Sequence, residues 1–422
     1  MNSEALTPGG DKTIIDSGTH AMKRARYIPY RIILCLGILI FALSGCMISY
    51  RVARWNLLVY MDGDNSLDEF GLQNINAMEL AGPGPTSSVN VFVLYDRSST
   101  GEWTGTRLYK INPDLNMDQI NSQVIEDYGE LDMSNPDTLR DFIIKCNQLS
   151  PADHTILTLW DHGNGVLDGI CEDDTTPGYN FLTPSEVRTA LEQARAATGK
   201  KIDIINTDAC SMQMLEIAYE WKDEADFLIG SEATSPEDGN NYYGILQSIK
   251  NTPISARDEA IAIVDAWYDF YSTSAWDRTY SALSLGADFD QLMTDFQIFA
   301  TALNNINPAD QSAVISSHST STLFPSGAGP LSYVDLYSFA EQLIINIPGS
   351  SVESAAATLI ADLNSVVIRD VNTAIYIGNA HGVSVLIPVN PSDWSTFSAN
   401  YPSYKLSQNT DWNEFISKYV TW

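Results

Sequence analysis

From residue 55 to residue 230 the chain repeats one pattern: a short, almost wholly apolar run of strand length, then a stretch with helical spacing. The run at 55–61 is apolar at successive positions instead of alternate ones, and further runs of strand length follow at 89–95, 154–160, 201–206 and 226–230. A strand of that kind is buried on both faces, as happens when helices cover both sides of a parallel sheet. Helical patterns at 66–80, 184–197 and 212–221 fill the intervals, and Asn135-Pro136-Asp137 has the form of an N-cap, a first-turn proline and a first-turn acid opening a helix to about 149. The expected fold is therefore α/β, a doubly wound, mostly parallel sheet flanked by helices.

The second half is less regular. Helices are expected at 256–274, 289–304 and 331–345, strands at 373–377 and 383–389, and a long loop or boundary over the Ser/Thr/Pro/Gly-rich stretch 306–330. This gives a C-terminal α+β extension over 291–422, packed on a main α/β domain at 54–290.

Charge narrows the function classes. There are 23 Lys and Arg against 53 Asp and Glu, a formal net charge of −30. Such a chain has no basic face for tracking phosphates, and nucleic acid is excluded as a partner. Basic residues gather near the start, where Lys23, Arg24, Arg26 and Arg31 precede the apolar run 32–44. That run is short for a membrane span and has the form of a secretory signal; an uncleaved anchor or buried helix is the competing reading. Met22-Lys23-Arg24 looks like an ordinary signal start, so translation is expected to begin at Met22. Leu43-Ser44-Gly45-Cys46 resembles the lipobox of bacterial lipoproteins, so residues 1–45 are expected to leave as a signal peptide. Cys46 would carry lipid and 46–53 would serve as a tether to a membrane of the cell envelope. Cys146, Cys171 and Cys210 remain in the mature chain, and an odd number leaves at least one thiol unpaired.

Functional groups in a parallel sheet collect beyond the carboxyl ends of its strands. The strand at 154–160 runs into Asp161-His162-Gly163-Asn164-Gly165, and that at 201–206 into Thr207-Asp208-Ala209-Cys210-Ser211-Met212. If the two strands are neighbours, their ends lie about 5 to 10 Å apart. A histidine and a cysteine would then share one cleft, an arrangement suited to attack on an acyl carbon. Cys210 is expected just ahead of a helix whose dipole would lower its pKa. The N–H groups of Gly163 and Cys210 would hold the oxyanion, and His162 would move the proton.

These two motifs, 48 residues apart, resemble the His-Gly and Asp-Ala-Cys motifs of clostripain-like cysteine peptidases, relatives of caspases, gingipains and legumain. Stretches 55–68, 129–139, 231–239 and 380–388 look like further blocks of the family, so the resemblance covers about 55–422. It implies a caspase-like fold, a Cys-His dyad of Cys210 and His162, and cleavage of peptide bonds after Arg or Lys. It also implies that Asp208, two places before the cysteine, forms the pocket for the basic side chain. A second pocket acid is sought among Glu232, Glu237 and Asp238. The loop 169–183 contains no Lys or Arg, so self-cleavage there is not expected. A catalytically silent surface-binding lipoprotein of the same fold and a transpeptidase are the alternatives. His154, His318 and His381 are read as structural. No cofactor is expected to be required; calcium is a secondary reading of Asp62-Gly63-Asp64-Asn65-Ser66-Leu67-Asp68-Glu69, where oxygen-bearing residues alternate, though Asp64 or Asn65 would equally cap a helix.

Overall fold

A computed structural model describes residues 52–84, 88–98, 103–175, 180–251, 253–326 and 329–422. The expected signal segment, the lipobox with Cys46, and tether residues 46–51 lie outside the described residues. In chain order the strands are β1 (Ala53–Gly63), β2 (Val89–Arg97), β3 (Gly105–Lys110), β4 (Gln123–Gly129), β5 (Ala152–Trp160), β6 (Ile170–Asp173), β7 (Asn180–Leu182), β8 (Ile202–Asp208), β9 (Ala225–Gly230) and β10 (Thr279–Ser284). They are followed by β11 (Leu323–Ser326), β12 (Gly329–Asp335), β13 (Val367–Asn372) and β14 (Ser384–Ile387).

The main sheet has the order β13-β10-β9-β8-β5-β1-β2-β3-β4. Its five central strands, β9 to β2, run parallel, and the strands at both margins are antiparallel. Successive residues of the central strands feed opposite apolar layers. Leu58, Tyr60, Leu157 and Ile205 enter one, while Leu57, Val59, Ile156 and Ile204 enter the other. This is why the sequence shows unbroken apolar runs instead of alternation. Each such side chain contributes about 1.5–3 kcal/mol by leaving water.

Helix starts follow local chemistry. Asn135 accepts from the Asp137 N–H at 2.9 Å ahead of Pro136–Leu149. Thr183 and Glu186 form a reciprocal capping box at the start of Pro184–Thr198.

The irregular second half departs from expectation in three places. The stretch 306–330 is not a loop: it contains the helix Gln311–Thr320 and strand β11. Its Ser and Thr hydroxyls bond back along the helix, as Ser317 does to the Ala313 carbonyl at 2.9 Å, so polarity here coexists with helix. The helix expected at 331–345 is preceded by strand: β12 runs to Asp335, whose carboxylate caps Leu336–Asn346 by accepting from the Ser338 N–H. The strand expected at 373–377 is a 3-10 turn, Ala374–Tyr376, and the strand lies earlier, as β13, at the edge of the main sheet. Strands β4 and β10 and the helices Tyr242–Asn251 and Ser351–Val366 carried no sequence signal that was read.

Candidate active site

Register places the two motifs. β5 and β8 are parallel neighbours with Trp160 opposite Asp208, so His162 and Cys210 each stand two residues beyond a matched pair, at the same level of the rim. The Asp161 N–H donates to the Asp208 carbonyl at 3.3 Å and continues the alignment past the strands. Both side chains line one cavity of about 700 Å³, together with Asp208, Glu237, Asp238 and Arg278.

Cys210 is followed by Ser211 in the left-handed region, φ 58°. The Ser211 N–H donates to the Ala233 carbonyl at 2.9 Å, and the helix begins only at Leu215. The expected dipole effect on the thiol is therefore absent. Burial pushes the Cys210 thiol above its ordinary pKa, against opposing contributions from the Ser235 N–H and Arg278. That N–H donates to Sγ at 3.2 Å. His162 Nε2 lies 3.0 Å from Ser66 Oγ, and burial lowers the imidazole pKa. Both shifts favour the uncharged forms, and no hydrogen bond joins the two side chains.

Neither the Gly163 nor the Cys210 N–H donates to a protein acceptor among the described residues. The neighbouring hydrogen bonds, from Asn164 N to the Gly169 carbonyl and from Cys171 N to the His162 carbonyl, bypass Gly163. Both N–H groups are thus unspent, and residue 163 packs against the Cys210 backbone.

Asp208 is buried, and its Oδ2 accepts from the Asn240 N–H and the Tyr242 hydroxyl, each at 2.8 Å. Burial raises its pKa to about 7. Gly239 (φ 73°) passes so close that a Cβ there would sit 3.0 Å from Asp208 Oδ2 and 2.3 Å from Asn74 Oδ1. The site therefore needs a glycine at this turn.

The other candidates divide. Asp238 and Glu237 line the cavity and are exposed, and Glu237 acts electrostatically on His162. Glu232 does not line it. Its Oε2 accepts from the Gly382 N–H at 2.9 Å, and burial with neighbouring Asp335 and Asp370 holds its carboxyl well above the usual range. Residues 231–233 are buried in succession, and the loop reaches the cavity only from Thr234 onward. His381 belongs to the Glu232 cluster, 3.1 Å from Asp335, and His154 and His318 bond to Asp203 and Tyr419. Cys146, Cys171 and Cys210 are all free.

Asn65 Oδ1 accepts from the Leu67 N–H at 2.9 Å, and its Nδ2 donates to Asp161 at 2.7 Å. Asp68 forms a buried fork with Arg97 at 2.8 and 2.7 Å. Among the described residues no group of three or more His, Cys, Asp or Glu side chains is placed to hold a metal ion. Sequence reasoning missed Ser66, Ser235, Trp276 and Arg278. The first two lay within stretches read as blocks of the family, but the last two carried no signal.

A cavity beyond the carboxyl ends of a mostly parallel sheet flanked by helices defines an α/β fold of the caspase-like class. The clostripain family model matches residues 59–419, and the chain belongs to that family. Clostripain of Hathewaya histolytica is 28% identical over 226 residues, which is 46% of this chain and 42% of that protein, so the match spans under half of the relative's length. An inactive zymogen C11 protease from Parabacteroides distasonis superposes with TM-score 0.66 at 21% identity, covering 85% of this chain and 98% of that one. A secreted C11 cysteine protease from Bacteroides thetaiotaomicron, solved with an irreversible peptide inhibitor, gives TM-score 0.64 at 21% identity over 85% and 99%. These likenesses establish the caspase-like fold.

Proposed function

We propose that this chain is an exported, lipid-anchored cysteine endopeptidase that cuts peptide bonds after Arg or Lys. The observation that carries the reading is the level placement of His162 and Cys210 on adjacent parallel strands, beside one cavity that Asp208 also lines. Family membership supports the peptidase chemistry, and the peptide inhibitor bound to a structural neighbour supports peptides as the substrate class.

In the proposed reaction His162 takes the Sγ proton as sulfur attacks the carbonyl carbon, so the resting neutral pair becomes charged only on attack. The N–H groups of Gly163 and Cys210 receive the oxyanion; one such donor is worth about 10²–10³ in rate. As the C–N bond breaks, His162 returns its proton to the departing amine. Water, deprotonated by His162, then attacks the thioester, and the acid leaves with Cys210 again a thiol. Asp208, ionised, takes the guanidinium or ammonium of the residue before the scissile bond. A mismatched neutral side chain would leave that carboxylate buried and unpaired. Cys46 is the proposed site of the lipid.

The test is hydrolysis by the full chain of fluorogenic peptides differing only in Arg, Lys, Asn or Asp before the scissile bond. Cleavage confined to Arg and Lys, and lost in Cys210→Ala, is expected. Equal cleavage of the Asn or Asp peptides would contradict the specificity, and undiminished cleavage by Cys210→Ala would contradict the mechanism.

A further inference from the structure

The rim that holds His162 and Cys210 continues across two more strands. Asn206 of β8 lies opposite Ile229 of β9, and Gly230 of β9 lies opposite Ser281 of antiparallel β10. Counting outward along these registers brings Arg278 to the level of Cys210, two strand spacings or about 10 Å away. His162 stands one spacing away on the opposite side. Hence His162, Cys210 and Arg278 form one row across the rim.

This row orients a substrate. His162 must reach the departing nitrogen, so the half of the peptide that leaves first lies on the β5 side. The acyl half then extends over β9 toward β10, where Trp276 and Arg278 line the cavity. Their backbone is fixed by Thr373: its hydroxyl bonds the Trp276 carbonyl at 2.6 Å, and its N–H the Arg278 carbonyl at 2.9 Å. Residues two apart on an extended segment share a face, and the Arg278 guanidinium sits 5.9 Å from the Trp276 ring centroid.

Arg278 lines the cavity and makes no ion pair among the described residues. Its Nη1 donates to Thr234 Oγ1 and the Asp277 carbonyl at 2.9 and 3.2 Å, neither of them charged. Trp276, 71% exposed, presents a large apolar face beside it. Of the acids lining the cavity, Asp161 and Asp208 stand at the ends of β5 and β8 and Glu237 acts on His162, while Asp238 lies in the same loop as Thr234, the hydroxyl partner of Arg278.

We propose that Trp276 and Arg278 form a second specificity subsite on the acyl side, which takes an acidic side chain two residues before the basic residue at the scissile bond. In an extended peptide those two side chains point the same way, so the first can enter the Asp208 pocket while the second meets the guanidinium. The indole supports the methylenes of the acidic side chain. The preferred substrate is thus a segment of alternating charge, acid then base, which the net charge of the enzyme would not suggest.

This inference rests on the peptidase reading above, and its test separates the two. Blocked peptides X-Ala-Arg and Ala-X-Arg carrying a fluorogenic leaving group, with X as Glu, Ala or Lys, are assayed with the full chain and with Arg278→Met. For X-Ala-Arg, kcat/KM is expected to be about tenfold higher with Glu than with Ala, and lowest with Lys. Arg278→Met brings the Glu/Ala ratio to within about twofold of unity, whatever it does to the absolute rate, and Arg278→Lys restores part of it. The Ala-X-Arg series shows no such preference. The anisotropy of labelled peptides bound to Cys210→Ala gives the same ratios without turnover. A Glu/Ala ratio near one in both rate and binding, or a ratio that survives Arg278→Met, overturns the subsite. Loss of all Arg-directed cleavage would overturn the peptidase reading, while the binding ratios still decide the subsite.

Discussion

Gly163 packs directly on the backbone of Cys210: a Cβ built on residue 163 would lie 2.5 Å from the Cys210 carbonyl oxygen and 3.2 Å from its nitrogen. No side chain fits there without forcing apart the two loops that carry the proposed base and nucleophile. Gly163→Ala is therefore expected to cost about 1–3 kcal/mol of stability. It should lower kcat/KM by about 10²-fold or more, because the same shift misplaces an oxyanion donor. Thermal unfolding and peptide hydrolysis measure the two effects; a variant with wild-type turnover would remove the oxyanion role.

The pH profile should bear the mark of Asp208. Its pKa is raised to about 7, and only the carboxylate can hold an Arg or Lys. The acid limb of kcat/KM is thus expected near pH 7, above the limb set by His162, whose pKa is lowered. In kcat the limb moves to lower pH, since bound substrate stabilises the carboxylate.

The sign for stability is opposite. A carboxyl whose pKa is raised in the fold stabilises while protonated, and loses that contribution as pH rises from about 4 through about 7, a change of about 4 kcal/mol for this shift. Asp208→Asn keeps an oxygen for the Asn240 N–H and the Tyr242 hydroxyl. The variant is expected to unfold later than wild type at pH 8, to match it only near pH 3, and to lose cleavage after Arg and Lys. Equal stability at both pH values would contradict the buried-carboxylate account.

How much of this was legible in the sequence follows from how each residue is held. His162, Gly163, Asp208 and Cys210 sit at the ends of apolar strands whose pairing is local to one crossover, so their meeting could be read from spacing. Arg278 and Trp276 enter from β10, whose sequence TYSALS is half polar and looks like a turn. Its polar residues are tolerated inside the sheet because Gln213 Nε2 reaches Ser281 Oγ at 2.9 Å and Thr279 Oγ1 receives the Glu232 N–H at 2.9 Å, partners distant in sequence. Glu232 shows the converse. Its place in a loop block suggested the pocket, but the direction of one side chain in a turn is set by contacts that spacing does not carry.

Glu232 supplies a control. Its carboxyl is held well above the usual range by burial and accepts from the Gly382 N–H, away from the cavity. Glu232→Gln should leave the Arg/Lys preference unchanged, while Glu232→Ala strands the Gly382 N–H and costs about 1–3 kcal/mol by thermal unfolding. A change of selectivity in Glu232→Gln would return this acid to the pocket.

Lipid anchoring predicts that the mature chain starts at Cys46 bearing a diacylglyceryl group and partitions with membranes, whereas Cys46→Ser stays with the unprocessed precursor. Intact-mass measurement of the membrane fraction reads this directly, and a mature N-terminus without added lipid mass would contradict it.

The most direct measurement on the central claim is covalent trapping. The full chain is incubated with an irreversible Arg-containing peptidyl acyloxymethyl ketone, and the modified residue is located by peptide mass spectrometry in wild type and in His162→Ala. The account predicts a single adduct on the Cys210 sulfur, with labelling slowed by about 10²-fold or more when the imidazole is removed. Labelling of Cys146 or Cys171 instead, or a rate unchanged in His162→Ala, would contradict it.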